Sequence, residues 1–154
     1  MENRLDISAL KKAAKAFDNA IAFAGKVEAK SPDKWEFYEL EVATAAVIQH
    51  FVFSYELCWK TMKRFIEMDI GPEADILTRK DLFRLSAEKQ LIDDFHQWIE
   101  FHGARNRTSH VYEAEVADEV YRIAKTFAGF LQKFVATMER RIESQDDMRF
   151  GSRT

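Results

Sequence analysis

Arg105-Asn106-Arg107-Thr108-Ser109-His110-Val111-Tyr112 sets a permanent cation, a titratable imidazole and a phenol in one short stretch of chain. Arginine offers a planar fork of donors for phosphate oxygens, histidine moves a proton near neutral pH, and tyrosine stacks on a base or accepts a modifying group. With 11 Arg and 4 His in the chain, R-x-x-x-x-H alone arises by chance about 0.3 times per shuffled sequence. Requiring Asn after the Arg and Tyr two past the His lowers that to roughly one in several thousand.

Metal-independent RNA cleavage needs a base for the 2′-hydroxyl proton, an acid for the leaving oxygen and cations over the pentavalent phosphate. His110 fits either proton-transfer role and Arg105 fits the phosphate. Asn106 would orient the histidine or a phosphate oxygen, and Tyr112 would stack on or position the substrate. The competing structural reading is that Arg105 pairs with a carboxylate of the fold and His110 merely ends a helix.

Geometry decides what must hold these groups. On an unbroken helix five residues turn the chain by about 500°, which leaves Arg105 and His110 roughly 140° apart. Asn106 and His110 share a face, but Asn, Thr and Ser prefer helix ends and turns. The helix is therefore expected to loosen around residues 107–111, turning Arg105 and His110 inward together. A twofold partner would add a second pair.

The flanking sequence predicts the supporting elements. Ile7, Leu10, Ala14, Phe17, Ile21 and Ala24 recur at three and four, giving a helix over about residues 5–29 that Ser31-Pro32-Asp33 ends. A longer helix is predicted from Glu36 to Asp69, with a stripe of Leu40, Ala43, Val47, Phe51, Tyr55, Cys58, Met62 and Phe65. A second stripe of Val52, Trp59 and Ile66 implies two burial partners, either two bundle neighbours or one neighbour and a dimer mate.

Gly71-Pro72 breaks the chain, Thr78 with Asp81 starts a short helix ending near Glu88, and Asp93-Asp94 opens another that runs into the motif. The acidic run Glu113, Glu115, Asp118 and Glu119 suits the N-terminus of a last helix. Its stripe is Val116, Val120, Ile123, Phe127, Phe130, Phe134, Met138 and Ile142, with Gly129 read as a close-packing position. Residues 144–154 lack periodicity and are expected to form a disordered tail beyond a single domain over residues 1–143.

Composition narrows the class. Only 5 Gly and 2 Pro among 154 residues leave little turn chemistry for a sandwich or barrel, while 47% hydrophobic content supports a real core. The expected fold is an all-α, antiparallel up-and-down bundle of four main helices plus a short one. One cysteine, Cys58, suits a reducing compartment. With no basic-then-apolar leader and no apolar run of about 18 residues, a soluble cytoplasmic protein is expected.

A net charge of -3 argues against broad nonspecific nucleic-acid binding, so any RNA contact must be local. No P-loop occurs. His50 reads as a core or interface residue, and His96 and His102, six apart, do not share a face as a metal pair would; no metal site and no cofactor are expected. The cluster of Lys11, Lys12 and Lys15 reads as a solvated helix face.

The segment Phe51-Val52-Phe53-Ser54-Tyr55-Glu56-Leu57-Cys58-Trp59-Lys60, followed by Leu91-Ile92-Asp93-Asp94 and the Arg105–Tyr112 stretch, resembles the nucleotidyltransferase substrate-binding protein family of the HEPN superfamily over roughly residues 5–140. The resemblance implies a HEPN-like bundle, a homodimer, and a minimal nucleotidyltransferase as partner. In relatives with the same motif that act as toxins of toxin–antitoxin pairs, the positions matching Arg105 and His110 are the ribonuclease pair. Asn106 matches the polar residue after the Arg, and Tyr112 matches the tyrosine that the partner adenylylates. Other members with the same motif are noncatalytic subunits that bind a nucleotide or present a substrate. The expected activity is thus that of an endoribonuclease toxin, with the binding subunit as the alternative.

Overall fold

The computed structural model describes residues 4–34, 36 and 38–151, leaving aside the side chains of residues 32 and 149–151. Five α-helices follow in order: α1 Ser8–Ala29, α2 Glu39–Ile70, α3 Arg79–Glu88, α4 Phe95–Arg107 and α5 Ala114–Gly151. Short 3-10 turns cover Pro32–Lys34, Gly71–Ile76 and Thr108–His110. Among the described residues there is no strand, and no helix is long and apolar enough to cross a membrane.

Helix starts follow local capping chemistry. The Thr78 hydroxyl accepts from the Asp81 amide at 3.1 Å, and the Asp94 carboxylate accepts from the Gln97 amide at 3.1 Å. Each satisfies a donor that the first helical turn leaves unpaired. At the end of α2, Gly71 adopts a φ of 80°, which its lack of a Cβ permits.

The core is an aromatic cluster centred on Phe127 of α5. Its ring lies 5.8 Å from Phe17 of α1, 5.2 Å from Phe51 of α2, and 4.9 and 5.7 Å from Phe101 and Trp98 of α4. Most of these contacts are edge-to-face, the arrangement that the ring quadrupoles favour. One side chain thereby ties three helices to α5. α3 packs against α2 and α4, so it sits over the side of the bundle that carries the motif.

Several expectations need correction. Val116, Ile123 and Phe130 are half-buried, whereas Tyr121, Ala124 and Leu131 are buried with Val120, Phe127 and Phe134. Because α5 contacts α1, α2 and α4, its apolar face is wider than a single stripe. The chain from Ser144 does not leave the helix: α5 continues to Gly151, with Arg4 paired to Asp146 at 3.0 Å. Residues 152–154 of the expected tail lie outside the described residues.

Gly129 does not serve close packing either, since a Cβ built there meets nothing within 4 Å. Gly129→Ala is therefore expected to stabilise the fold by about 1 kcal/mol through lower unfolded-state entropy and better helix propensity. Urea denaturation reads this as a higher midpoint at unchanged m-value; a lower midpoint would show a hidden packing role.

Candidate functional site

α4 ends at Arg107 and a 3-10 turn spans Thr108–His110, within the stretch where the sequence predicts loosening. The cause is local. The Thr108 hydroxyl donates to the Arg105 carbonyl at 2.7 Å and the Ser109 hydroxyl to the Asn106 carbonyl at 3.4 Å, drawing helical acceptors into a turn. Val111 and Tyr112 then cross to the start of α5.

Arg105 projects from the last turn of α4 toward α2. Its Nε donates to Glu56 Oε1 at 2.7 Å. Among the described residues its terminal nitrogens have no hydrogen-bond partner, and the side chain lines an open groove of about 690 Å³. Leu40, Thr44, Ile48 and Val52 of α2 form one wall, and Thr108, Val111 and Tyr112 with the start of α5 form the other. A carboxylate that takes Nε leaves the two outer NH2 groups free, which are the donors suited to bidentate contact with a phosphate.

Tyr112 lines the same groove and is 78% exposed. His110 is exposed beside it, with Nδ1 3.5 Å from the Tyr112 hydroxyl and ring centroids 6.0 Å apart. Within one chain, then, Arg105 and Tyr112 share the groove while His110 stands at its rim and does not line it. Asn106 turns away from His110: its side-chain amide lies 3.4 Å from Nε2 of His102, one helical turn back.

His102, Tyr55, Glu56, Trp59 and Arg79 complete the surroundings, and the sequence reading gave none of them a role here. The Tyr55 hydroxyl lies 2.7 Å from His102 Nδ1, linking the buried floor of α2 to Asn106 through the imidazole. Burial and the adjacent Arg79 guanidinium push the His102 imidazole below its usual range, and the opposing Glu56 carboxylate does not reverse this. Burial raises the Tyr55 phenol far out of the physiological range. Partial burial alone would raise Glu56. Hydrogen bonds from Arg105 and from Trp59 Nε1, the latter at 2.9 Å, outweigh it and hold the carboxyl below the usual carboxylate range.

With its folded value lowered, the Glu56 carboxylate contributes stability above the ordinary carboxylate pKa and loses it as pH falls through the folded value. The anchor on Arg105 is thus complete at neutral pH and releases only in acid. A signal for Glu56 was available in the sequence: Val52, Glu56 and Trp59, at steps of four and three, must share one face of α2. Its pairing with Arg105, 49 residues away, was not.

A bundle in which one long helix presents Y-E-L-x-W-K to an Arg-Asn-x-x-Ser-His-x-Tyr turn can be compared with known proteins. The family model described as nucleotidyltransferase substrate binding protein like matches residues 5–140. The chain belongs to this family. A curated relative, the probable ribonuclease HepT of Haemophilus influenzae, is 40% identical over 79 residues, covering 50% of this chain and 54% of that protein. The chain thus spans about half the length of the curated relative it matches.

The solved structure of HI0074 from Haemophilus influenzae, titled as the fold of a substrate binding domain of a nucleotidyltransferase, is 28% identical. Its TM-score is 0.73, with 84% of this chain and 98% of that chain covered. The all-helical bundle is therefore the fold of this substrate-binding family, and the family's description associates it with a nucleotidyltransferase.

Proposed function

We propose that this protein is a HEPN-type toxin, a metal-independent endoribonuclease whose cleft forms where two copies meet, silenced by a minimal nucleotidyltransferase that adenylylates Tyr112. The observation that carries the proposal is the state of Arg105. Its Nε is fixed by Glu56, its outer nitrogens have no hydrogen-bond partner among the described residues, and the residue lines the same groove as Tyr112. A purely structural arginine would be expected to spend its outer donors on the fold as well.

In this account the groove takes the RNA backbone, and Arg105 binds the scissile phosphate and stabilises charge as it builds on the phosphoryl oxygens. His110 of one copy accepts the 2′-hydroxyl proton as that oxygen attacks phosphorus. His110 of the second copy donates a proton to the departing 5′-oxygen, leaving a 2′,3′-cyclic phosphate and a free 5′-hydroxyl. In this reading a second copy closes over the rim, where His110 is exposed beside Tyr112, and supplies the other imidazole. Asn106, held by His102, positions the phosphate or the substrate from the α4 side.

The name of the HepT relative supports a ribonuclease. The family description, shared by the HI0074 fold, supports a nucleotidyltransferase partner and also a second reading, that of a noncatalytic subunit binding a nucleotide or substrate for that enzyme. Tyr112, Arg105 and an apolar wall would hold a base and a phosphate in either case. Incubating the purified protein with RNA in EDTA separates the two. Cleavage with cyclic-phosphate ends is expected, whereas intact RNA would leave the binding subunit as the function.

A further inference from the structure

The face of α2 that walls the groove as far as Val52 continues beyond it. Val52, Glu56 and Trp59 follow one another at helical spacing, and Trp59 lies about 10 Å further along the axis than Val52. The guanidinium carbon of Arg79, the first residue of α3, sits 3.4 Å from the centroid of the Trp59 ring, and Lys60 Nζ lies 5.7 Å from the same ring. Glu56 joins this stack to the site by accepting from Trp59 Nε1 with one oxygen and from Arg105 with the other.

Charge and exposure point the same way. Arg79 and Trp59 are half-buried and Lys60 is exposed. Among the described residues neither Arg79 nor Lys60 has a carboxylate oxygen within 4.0 Å, whereas Lys63 pairs with Asp75 and Arg107 with Glu119. Around Glu56, then, three cations stand against one carboxylate. A chain of net charge -3 thus keeps a strip of net positive charge beside Arg105, of which Glu56 offsets one charge.

We propose that Arg79, stacked on Trp59, forms a second subsite that binds the nucleotide next to the scissile phosphate in single-stranded RNA. The proposal rests on the ribonuclease reading for the identity of the polymer. The Arg79 guanidinium interacts with the Tyr55 hydroxyl on its inner side; held flat by the indole, it presents its outer face to a base and its remaining nitrogens to a phosphate, and both contacts tolerate any base sequence. Lys60 adds a mobile charge to the same strip. Glu56 keeps Trp59 and Arg105 in fixed relation, so a strand gripped at one subsite is registered at the other.

The test is binding of a fluorescein-labelled 2′-O-methyl oligouridine, which lacks the nucleophilic hydroxyl, followed by anisotropy over a range of salt. Arg79→Met should weaken binding about ten-fold and lower the slope of log affinity against log salt by about 0.7, the share of one phosphate on a single strand. Arg79→Lys should keep the slope and lose part of the affinity, because the charge remains and the stacking plane does not. Lys12→Met, on the exposed face of α1, should change neither. Thermal melts confirm that each variant is folded.

Folded Arg79→Met with wild-type affinity and slope would overturn the subsite. Should Arg79→Met not fold, wild-type affinity in Arg79→Lys would overturn it equally. The failure of the ribonuclease reading looks different: the wild type would leave cleavable RNA intact while the Arg79 dependence of oligouridine binding persists.

Discussion

His110→Ala is expected to lower the rate of RNA cleavage by about 10²–10⁴, the usual contribution of a positioned proton-transfer group. Growth arrest on expression should disappear with it. The side chain is exposed and, among the described residues, its one hydrogen-bond contact, to Tyr112 at 3.5 Å, is at the limit of such contacts, so the melting temperature should barely move. Arg105→Ala should cost a similar factor but act differently. It removes the phosphate fork and also leaves the half-buried Glu56 carboxylate without its strongest partner.

Glu56→Gln separates these two effects. The amide oxygen still accepts from Arg105 Nε while its NH2 replaces the oxygen that accepted from Trp59 Nε1, so the protein should remain folded at the cost of about one hydrogen bond, and the geometry of the fork loosens. Cleavage should therefore fall less than in Arg105→Ala. Equal cleavage by the wild type and His110→Ala, with both folded, would reject the catalytic assignment outright.

The second large effect concerns Tyr112. Incubation with ATP and the partner nucleotidyltransferase is expected to add one adenylate, seen as a single step in intact mass and mapped to the Tyr112 peptide. The phenolic oxygen bonds to the α-phosphorus, the bond to the bridging oxygen breaks, pyrophosphate leaves and the phenolic proton passes to solvent. At 78% exposure the hydroxyl is open to an incoming enzyme, and an adenylate there stands in the groove that Arg105 lines. Modified protein should thus lose cleavage as completely as His110→Ala does. Tyr112→Phe should gain no mass and resist neutralisation, and a mass gain in that variant would place the modification elsewhere.

The parts of the site legible in the sequence were those set by local chemistry. Thr108 and Ser109 capture carbonyls of α4, so a loosened turn before Tyr112 could be read from residue types alone. Thr78 and Asp94 were recognisable as caps for the same reason. The structural reading of Arg105 holds in that Nε pairs with the Glu56 carboxylate; the proposed phosphate contact draws on the two outer nitrogens that this pairing leaves.

Partners distant in sequence were not legible. Glu56 meets Arg105 only because α2 and α4 cross, and nothing in the spacing of His102 from His96 foretells that its neighbours are Tyr55 and Asn106. Gly129 misled because a glycine in a helix admits both a packing and a neutral explanation, and only the space around it decides. The extent of α5 escaped because a helix that has left the core no longer needs an apolar stripe.

The proposed ribonuclease requires two copies of the chain to build one cleft, each giving a His110. Mixing wild type with His110→Ala at varying ratios and allowing subunits to exchange tests it most directly. If both imidazoles are needed, cleavage falls with the square of the wild-type fraction; a fall in simple proportion to that fraction would mean that each chain acts alone and would contradict the account.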